Sequence, residues 1–593
     1  MICSRPMRIS IFLLLSCSTA FGGDGAAIFR NKCAACHRAG SGTRAPLPEV
    51  LHRMSRQSIL TALESGLMKS QGASLSAGDR VAVATYLGTP DAQPAEPSAG
   101  ACKIEPAPMS HLPGWNGWGA DPSNSRFQSA PIAGMGIQEV PKLKLKWAFG
   151  FPGASSAVAQ PAVADGRVFM GSEDGTVYSL DARSGCIIWK FKAPALVRAA
   201  ISIGEGSVFF GDVGGNVYAL RADNGALLWK TRSDPHPGAR ITGAPLLYSG
   251  RLYVPVSSGE EGSGMDPAYP CCTFRGSVVA LEIKTGREIW KGYVIPDTPQ
   301  RTRRNSKGTQ LWGPSGAAVW SAPTLDVSRK AIYVATGNSY SDPSSKFSDA
   351  VVAFDMNSGK MLWSQQLTAG DQWNLACINP DKTNCPPNAG DDVDFGASPI
   401  LKSLPGGHAL VIVGQKSGVV HALDPDREGK IVWQTRIGRG GLLGGIEWGG
   451  AADELSVYFP LSDFQESKPE AGGGLFALRI TTGEKIWYAP PASPACLGHP
   501  GCSAAQIAPV TVIPGVVFSG SMDGHLRAYR TADGKVIWDV DTLKNFPTVN
   551  GVPAHGGSLN ATGPTIAQGM LYVNSGYGGI PGNVLLAFSV DGN

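Results

Sequence analysis

The sequence is short of charge: only 17% of its 593 residues are Asp, Glu, Lys or Arg, and their balance is +4. So slight an excess gives no electrostatic reason to bind nucleic acid or an anionic membrane. Long apolar runs are missing too. Beyond the N-terminus no stretch approaches the roughly 20 residues that a membrane-spanning helix needs. What remains is globular, with 43% hydrophobic residues and a chain too long for one ordinary core. Glycine (76) and proline (44) are abundant, which suits many short strands joined by turns.

Arg5 and Arg8 precede an apolar run from Ile9 to Leu15 and small residues from Ser16 to Ala20. This pattern predicts an export signal over residues 1–20, cleaved after Ala20. Leu14-Leu15-Ser16-Cys17 offers a second reading, a lipid-attachment signal that would leave a lipidated Cys17. Twelve cysteines fit an oxidising compartment, periplasmic or extracellular. Spacing suggests Cys377–Cys385 and Cys496–Cys502 as loop clips, with Cys271 and Cys272 adjacent and Cys102 and Cys186 left over.

Cys33-Ala34-Ala35-Cys36-His37 is the signature of covalent c-type haem attachment. Two thiols three apart can add to both haem vinyl groups, and the next residue brings an imidazole to the iron. A thioether is expected as sixth ligand, and Met68 and Met54 compete for it. Met68 is favoured because it follows a helix expected over Ser58 to Ser65 and precedes one over Ser76 to Leu87. Val81, Val83, Ala84 and Leu87 of the second helix would cover the haem, and His52 is an outside candidate ligand. The arrangement resembles a short class I cytochrome c, an all-α domain over residues 21–88. A Pro- and Ala-rich linker over residues 89–114 marks the boundary.

From residue 140 onward one closing unit recurs. It reads Val177-Tyr178-Ser179-Leu180 to Trp189, then Val217 to Trp229, Val278 to Trp290 and Val351 to Trp363. It continues from Val420 to Trp433, Leu475 to Trp487 and Leu526 to Trp538. An eighth copy, Val584 to Asp591, stops before any Trp, and the missing one stands at Trp147 in the first strand. The pattern predicts an all-β eight-bladed propeller over residues 115–593, closed by a strand borrowed from its own beginning.

This array resembles the PQQ-dependent quinohaemoprotein alcohol dehydrogenases, PQQ being pyrroloquinoline quinone. The resemblance implies three cofactors, PQQ, haem c and Ca2+, and it implies site residues. Trp320 matches the aromatic floor beneath the quinone, and Asn338 and Glu261 match calcium ligands, with Glu260 the adjacent alternative. The run Asp371-Gln372-Trp373-Asn374 resembles the stretch that carries the family's base but ends in Asn, which cannot abstract a proton. Asp394, in Asp394-Phe395-Gly396-Ala397, is therefore the expected base and calcium ligand, with Asp392, Asp371 and Asp349 in reserve. Lys416 matches the cation at the quinone oxygens. Arg198 and Thr242 match positions that bind PQQ carboxylates, and Trp448 a site wall. The family lays an adjacent-cysteine disulfide over PQQ, a role that falls to Cys271 and Cys272. Tyr269-Pro270-Cys271-Cys272-Thr273-Phe274-Arg275-Gly276 is most similar to the branch that oxidises polyvinyl alcohol.

The resemblance implies oxidation of secondary alcohol groups, with electrons leaving through the haem to an external cytochrome or similar acceptor. A small-alcohol dehydrogenase is the near alternative. A non-catalytic propeller with a haem domain is the distant one, in which Trp320, Asn338 and Asp394 would not converge.

Overall fold

A computed structural model describes residues 23–90, 100–103 and 113–593, except 42, 44 and 466. The expected export signal and Cys17 lie outside the described residues.

The N-terminal domain is built from five short helices: α1 (Gly25–Lys32), α2 (Pro48–Leu51), α3 (Arg56–Glu64), α4 (Lys69–Gly72) and α5 (Ala77–Leu87). Side-chain caps define the longer ones. Asp24 accepts from the Ala26 N–H, Ser55 from Ser58 and Ser76 from Asp79. Phe29, Leu51, Ile59, Leu63, Val83, Ala84 and Leu87 form the core. Val81, expected among them, is 46% exposed. It lies off the face of α5 that Val83, Ala84 and Leu87 share at 3.6 residues per turn.

Residues 143–590 form eight blades, numbered here in chain order, each with four main strands, and the third carries a fifth short strand, Ala239–Arg240. The eighth is completed by Leu143–Gly150, which pairs antiparallel with Val584–Val590. The chain's beginning thus supplies the outer strand of its last blade. The repeated tryptophans fasten each blade to the next. The Trp189 indole donates to the Ala222 carbonyl at 3.0 Å, Trp433 to Ile480 at 2.9 Å and Trp538 to Leu143 at 3.1 Å. A turn glycine of the following blade lies under the ring. At Gly225 (φ +75°) an added Cβ would stand 2.7 Å from Trp189, so both the backbone and the ring require glycine.

Residues 113–128 run beneath the propeller and touch the inner edge of blade after blade. Pro113–Trp115 pairs with blade 1, and Asn116 accepts from the Ile203 N–H of blade 2 at 2.7 Å. Carbonyls of Pro122, Ser123, Ser125 and Arg126 accept from Leu325, Leu401, Ala452 and Val512, one on each of blades 4 to 7. Gln128 donates to Ile566 of blade 8 at 3.0 Å. Arg126, wholly buried, anchors this belt by donating to the carbonyls of Val510 and Trp118 and to Gln160 and Thr511, at 2.6–2.9 Å.

Above the blades three irregular connections interlock into a cap, in and after blade 3 and between blades 4 and 5. Asn305 donates to the Pro267 carbonyl and to Asn384, each at 2.8 Å, and Asn384 donates to the Asp266 carbonyl at 2.8 Å. Among the described residues, the eight cysteines outside the haem motif are bridged: Cys102–Cys186, Cys271–Cys272, Cys377–Cys385 and Cys496–Cys502.

Candidate active site and haem pocket

One continuous cavity of about 790 Å³ joins the two domains. Its upper wall carries Cys36, His37, Met54 and Met68, and its floor carries Glu261, Trp320, Asn338, Asp394 and Lys416. The site at the propeller axis and the pocket of the helical domain are therefore two ends of one space.

At the haem end, His37 is buried and its Nδ1 lies 2.7 Å from the Pro46 carbonyl. That bond makes Nδ1 the protonated nitrogen and leaves the Nε2 lone pair for iron. Burial also lowers the His37 pKa, favouring the neutral, ligating form. Cys33 and Cys36 are the only unbridged cysteines among the described residues. This donor set fits a covalently attached haem. Met54 and Met68 both line the pocket. His52 is exposed and bonds the Leu87 carbonyl, which places it outside.

At the other end the floor is built by blades 3 to 6. The Trp320 indole donates to Asp394 at 3.2 Å, and Gly396 leaves room for the ring: a Cβ there would lie 2.2 Å from it. Trp448 stands nearly perpendicular to Trp320, with ring centres 5.2 Å apart, and is fixed by its own bond to Asn560 at 2.8 Å. Lys416 bridges two acids, 2.6 Å from Asp394 and 2.9 Å from Asp392. The two carboxylates raise its pKa against the opposing effect of burial, which is the larger single influence. Lys416 is thus held charged above the Trp320 face, 5.6 Å from the ring centre.

The acids of the neighbourhood divide by what they touch. Glu260 is fully buried and accepts from the Tyr269 hydroxyl and from the Thr273 and Phe274 N–H groups at 2.8–3.0 Å, so it holds the cap loop. Glu261 lines the cavity, where burial and then the nearby Asp394 charge push its carboxyl pKa up. Asp371 accepts from the Asp392 and Val393 N–H groups, and Asn374 ties Tyr340 and Asn384 together. Neither of these, nor Asp349, belongs to the cavity wall. Asn338 donates its amide N–H to the Trp373 carbonyl at 2.8 Å, so its oxygen is the atom left for a ligand.

Arg198 and Arg240 both line the space, and among the described residues neither forms an ion pair with a carboxylate. Arg198 lies over Trp448 at 5.0 Å. Burial and then Arg198 lower the Arg240 pKa. Two arginines with no carboxylate in ion-pair contact suit a ligand bearing several carboxylates. Thr242 is the third wall residue at this corner and donates to the Trp320 carbonyl at 3.3 Å. An aromatic floor, unpaired arginines and a buried lysine together fit PQQ.

Cys271 and Cys272 are bridged and buried, packed among Ala318, Tyr340 and Phe274 rather than on the cavity wall. Sequence reasoning missed Arg240, Trp373 and Tyr340 as wall residues. Trp373 was visible inside the Asp371–Asn374 motif, but Arg240 and Tyr340 carry no local signal.

The alcohol dehydrogenase propeller family (glucose/ethanol/alcohol dehydrogenase, beta-propeller domain) matches residues 115–436. A cytochrome family, cytochrome c oxidase cbb3-type subunit III, matches residues 22–87, and the outer membrane protein assembly factor BamB family matches 471–593. A polyvinylalcohol dehydrogenase of Pseudomonas sp is 41% identical, covering 96% of this chain and 94% of the relative. Another, from Sphingopyxis sp. (strain 113P3), is 38% identical over 96% and 93%. The crystal structure of quinohemoprotein alcohol dehydrogenase from Comamonas testosteroni shares the fold, with TM-score 0.60, 19% identity and 81% of each chain covered. With a haem pocket and a quinone site opening into one cavity, and relatives matched over nearly its whole length, the chain belongs to the PQQ-dependent quinohaemoprotein alcohol dehydrogenases.

Proposed function

We propose that the protein is an exported dehydrogenase that oxidises secondary alcohol groups, those of polyvinyl alcohol foremost, to ketones. The observation that carries this reading is the single cavity, with Asp394 and Lys416 at one end and His37 and Met68 at the other. Both relatives matched over almost the full chain bear the name polyvinylalcohol dehydrogenase. Four disulfides support an oxidising compartment.

Asp394 is the base that takes the hydroxyl proton. Its carboxylate is oriented from two sides, by the Trp320 N–H and by Lys416, and excluded from bulk water. Lys416 remains protonated and holds negative charge developing above the floor. Arg198, Arg240 and Thr242 would hold the carboxylates of the cofactor. PQQ, when bound, supplies the hydride acceptor that no side chain here can provide.

Among the described residues no three His, Cys, Asp or Glu side chains converge as a metal site by themselves. Ca2+ would take Glu261, Asp394 and the Asn338 oxygen, a hard-oxygen set completed by an oxygen-bearing ligand. A cation there would relieve the repulsion between Glu261 and Asp394, and it would polarise the reactive carbonyl. Cys33, Cys36, His37 and Met68 would hold the haem, which would supply one-electron transfer to an external acceptor such as a cytochrome c.

The test is alcohol-dependent reduction of the haem, followed at its visible band, in protein loaded with PQQ and Ca2+. Polyvinyl alcohol and simple secondary alcohols are compared, with each cofactor omitted in turn. Reduction that needs both cofactors and is fastest with the polymer is expected. Faster reduction by small alcohols would replace the substrate. A haem that stays oxidised with every alcohol would overturn the reading.

A further inference from the structure

The contact between the helical domain and the propeller contains one buried acid that the alcohol chemistry does not use. Glu173 sits in a blade 1 turn, at 0% exposure. Its carboxylate accepts from the Ser155 N–H at 2.6 Å, the Ser156 N–H at 2.9 Å and the Ser155 hydroxyl at 2.8 Å. The backbone N–H of Leu67, across the domain boundary, faces the same carboxylate and helps to hold its pKa down. Burial pushes its pKa up to about 7 even though every one of these bonds lowers it. No cation stands against it within ion-pair distance among the described residues.

The loop that Glu173 grips is residues 65–68, and it ends at Met68. A second bond ties its start: the Leu196 N–H, in the connection to blade 2, donates to the Ser65 carbonyl at 2.8 Å. Gly66 lies flat against the acid, since a Cβ there would stand 2.7 Å from the Glu173 side chain. The residues just beyond both anchors, Met68 and Arg198, line the shared cavity.

We propose that Glu173 is a positioning residue that latches the Met68 loop to blade 1 and so fixes the haem end of the cavity against the quinone end. This rests on the reading that electrons cross from quinone to haem within one chain. A buried carboxylate that gathers N–H donors from two domains defines one docking geometry, because any other leaves its charge unsolvated. Serine or threonine at this position could not reach both sides.

The test compares the full-length holoenzyme with Glu173→Gln and, separately, Gly66→Ala. Glutamine keeps the shape but turns an NH2 group toward the Ser155, Ser156 and Leu67 donors. The alanine forces the loop outward while leaving the carboxylate intact. After mixing with alcohol, quinone reduction is followed at its own absorbance and haem reduction at the haem band. Quinone reduction unchanged with haem reduction slowed roughly tenfold or more is expected for both variants, as for other small misplacements of reacting groups. In protein without PQQ, amide hydrogen exchange over residues 65–68 and 194–197 should speed up in both. Haem reduction equal to wild type, or exchange unaltered at 65–68, would overturn the latch. Haem and quinone reduction slowing together would make Glu173 a fold residue of blade 1 and overturn it too. If alcohol fails to reduce the quinone in wild type, the proposed activity fails, and the exchange measurement still decides the latch.

Discussion

Two cations are buried near the axis of this propeller, and they are satisfied in opposite ways. Arg126, in the belt below, donates only to carbonyls, a hydroxyl and an amide oxygen, and stacks on Trp118 at 4.8 Å. Burial lowers its pKa to about 9. Lys416, above, is clamped by Asp392 and Asp394 and lies over Trp320. Trp118 and Trp320 both line one small void of about 20 Å³, so the two sites are close neighbours. Neutral acceptors spread over distant strands make Arg126 a fastener. Acids facing an open cavity make Lys416 part of a reactive set. Burial and charge alone do not separate structure from chemistry; the partners do.

The sharpest way to break this comparison is at the top. Asp394→Asn keeps the Trp320 bond and the shape but removes the base. We expect turnover to fall about 10³-fold, within the range for a lost general base, with the thermal midpoint little changed. Turnover within tenfold of wild type would move the base elsewhere. At the bottom the signs reverse. Arg126→Met should leave the activity of the surviving fold intact but cost about 4 kcal/mol of stability, because several buried acceptors lose their donor together. Denaturant unfolding measures this, and a loss under about 1 kcal/mol would mean that the belt does not depend on Arg126.

The upper region also predicts a pH dependence. His421 is buried under Phe395, next to the base, with ring nitrogens bonded to Gln434 and Gln415. Burial, and then Arg436, lower its pKa to about 4. The unfolded chain binds this proton near pH 6.5 and the fold does not, so stability falls as pH drops from about 6.5 towards 4. Two to three pKa units correspond to about 3 kcal/mol at full effect. Thermal midpoints of wild type and His421→Gln across that range should converge as the pH falls. Parallel curves would assign the acid sensitivity to other groups.

The two regions also differ in how far the sequence discloses them. The blades are periodic, so Trp147 at one end and the truncated eighth copy at the other already imply a ring closed by its own first strand. Trp320, Asn338, Asp394 and Lys416 stand in local motifs next to strand ends, where a short pattern fixes position. The belt has no period, and its partners lie from tens to hundreds of residues away, so Arg126 looks like any arginine. Arg240 and Glu173 share that anonymity: their meaning comes from a neighbour brought in by folding. Cys271 and Cys272 show the reverse. Their adjacency permits a bridge, and the resemblance implies one over the quinone; the bridge forms, but it packs among Ala318, Tyr340 and Phe274 and is not part of the cavity wall.

The smallest effect is the one that separates the two acids on Lys416. Both lie within 3 Å of its ammonium group. Only Asp394 also receives the indole N–H of the floor, at 3.2 Å. Asp392 instead sits at φ +54°, a conformation its side chain tolerates, with its N–H given to Asp371. Its carboxylate thus balances the lysine charge without touching the floor. Asp392→Asn keeps an oxygen for the ammonium group, and Asp394 still holds Lys416 in place. Turnover should fall less than about tenfold, close to 1 kcal/mol, as for weakening one bond to a charged group. Parallel turnover measurements on Asp392→Asn and Asp394→Asn make the comparison direct. A loss near 10³-fold in the first and a small one in the second would exchange the roles of the two acids, with Asp392 as the base and Asp394 as the counter-charge.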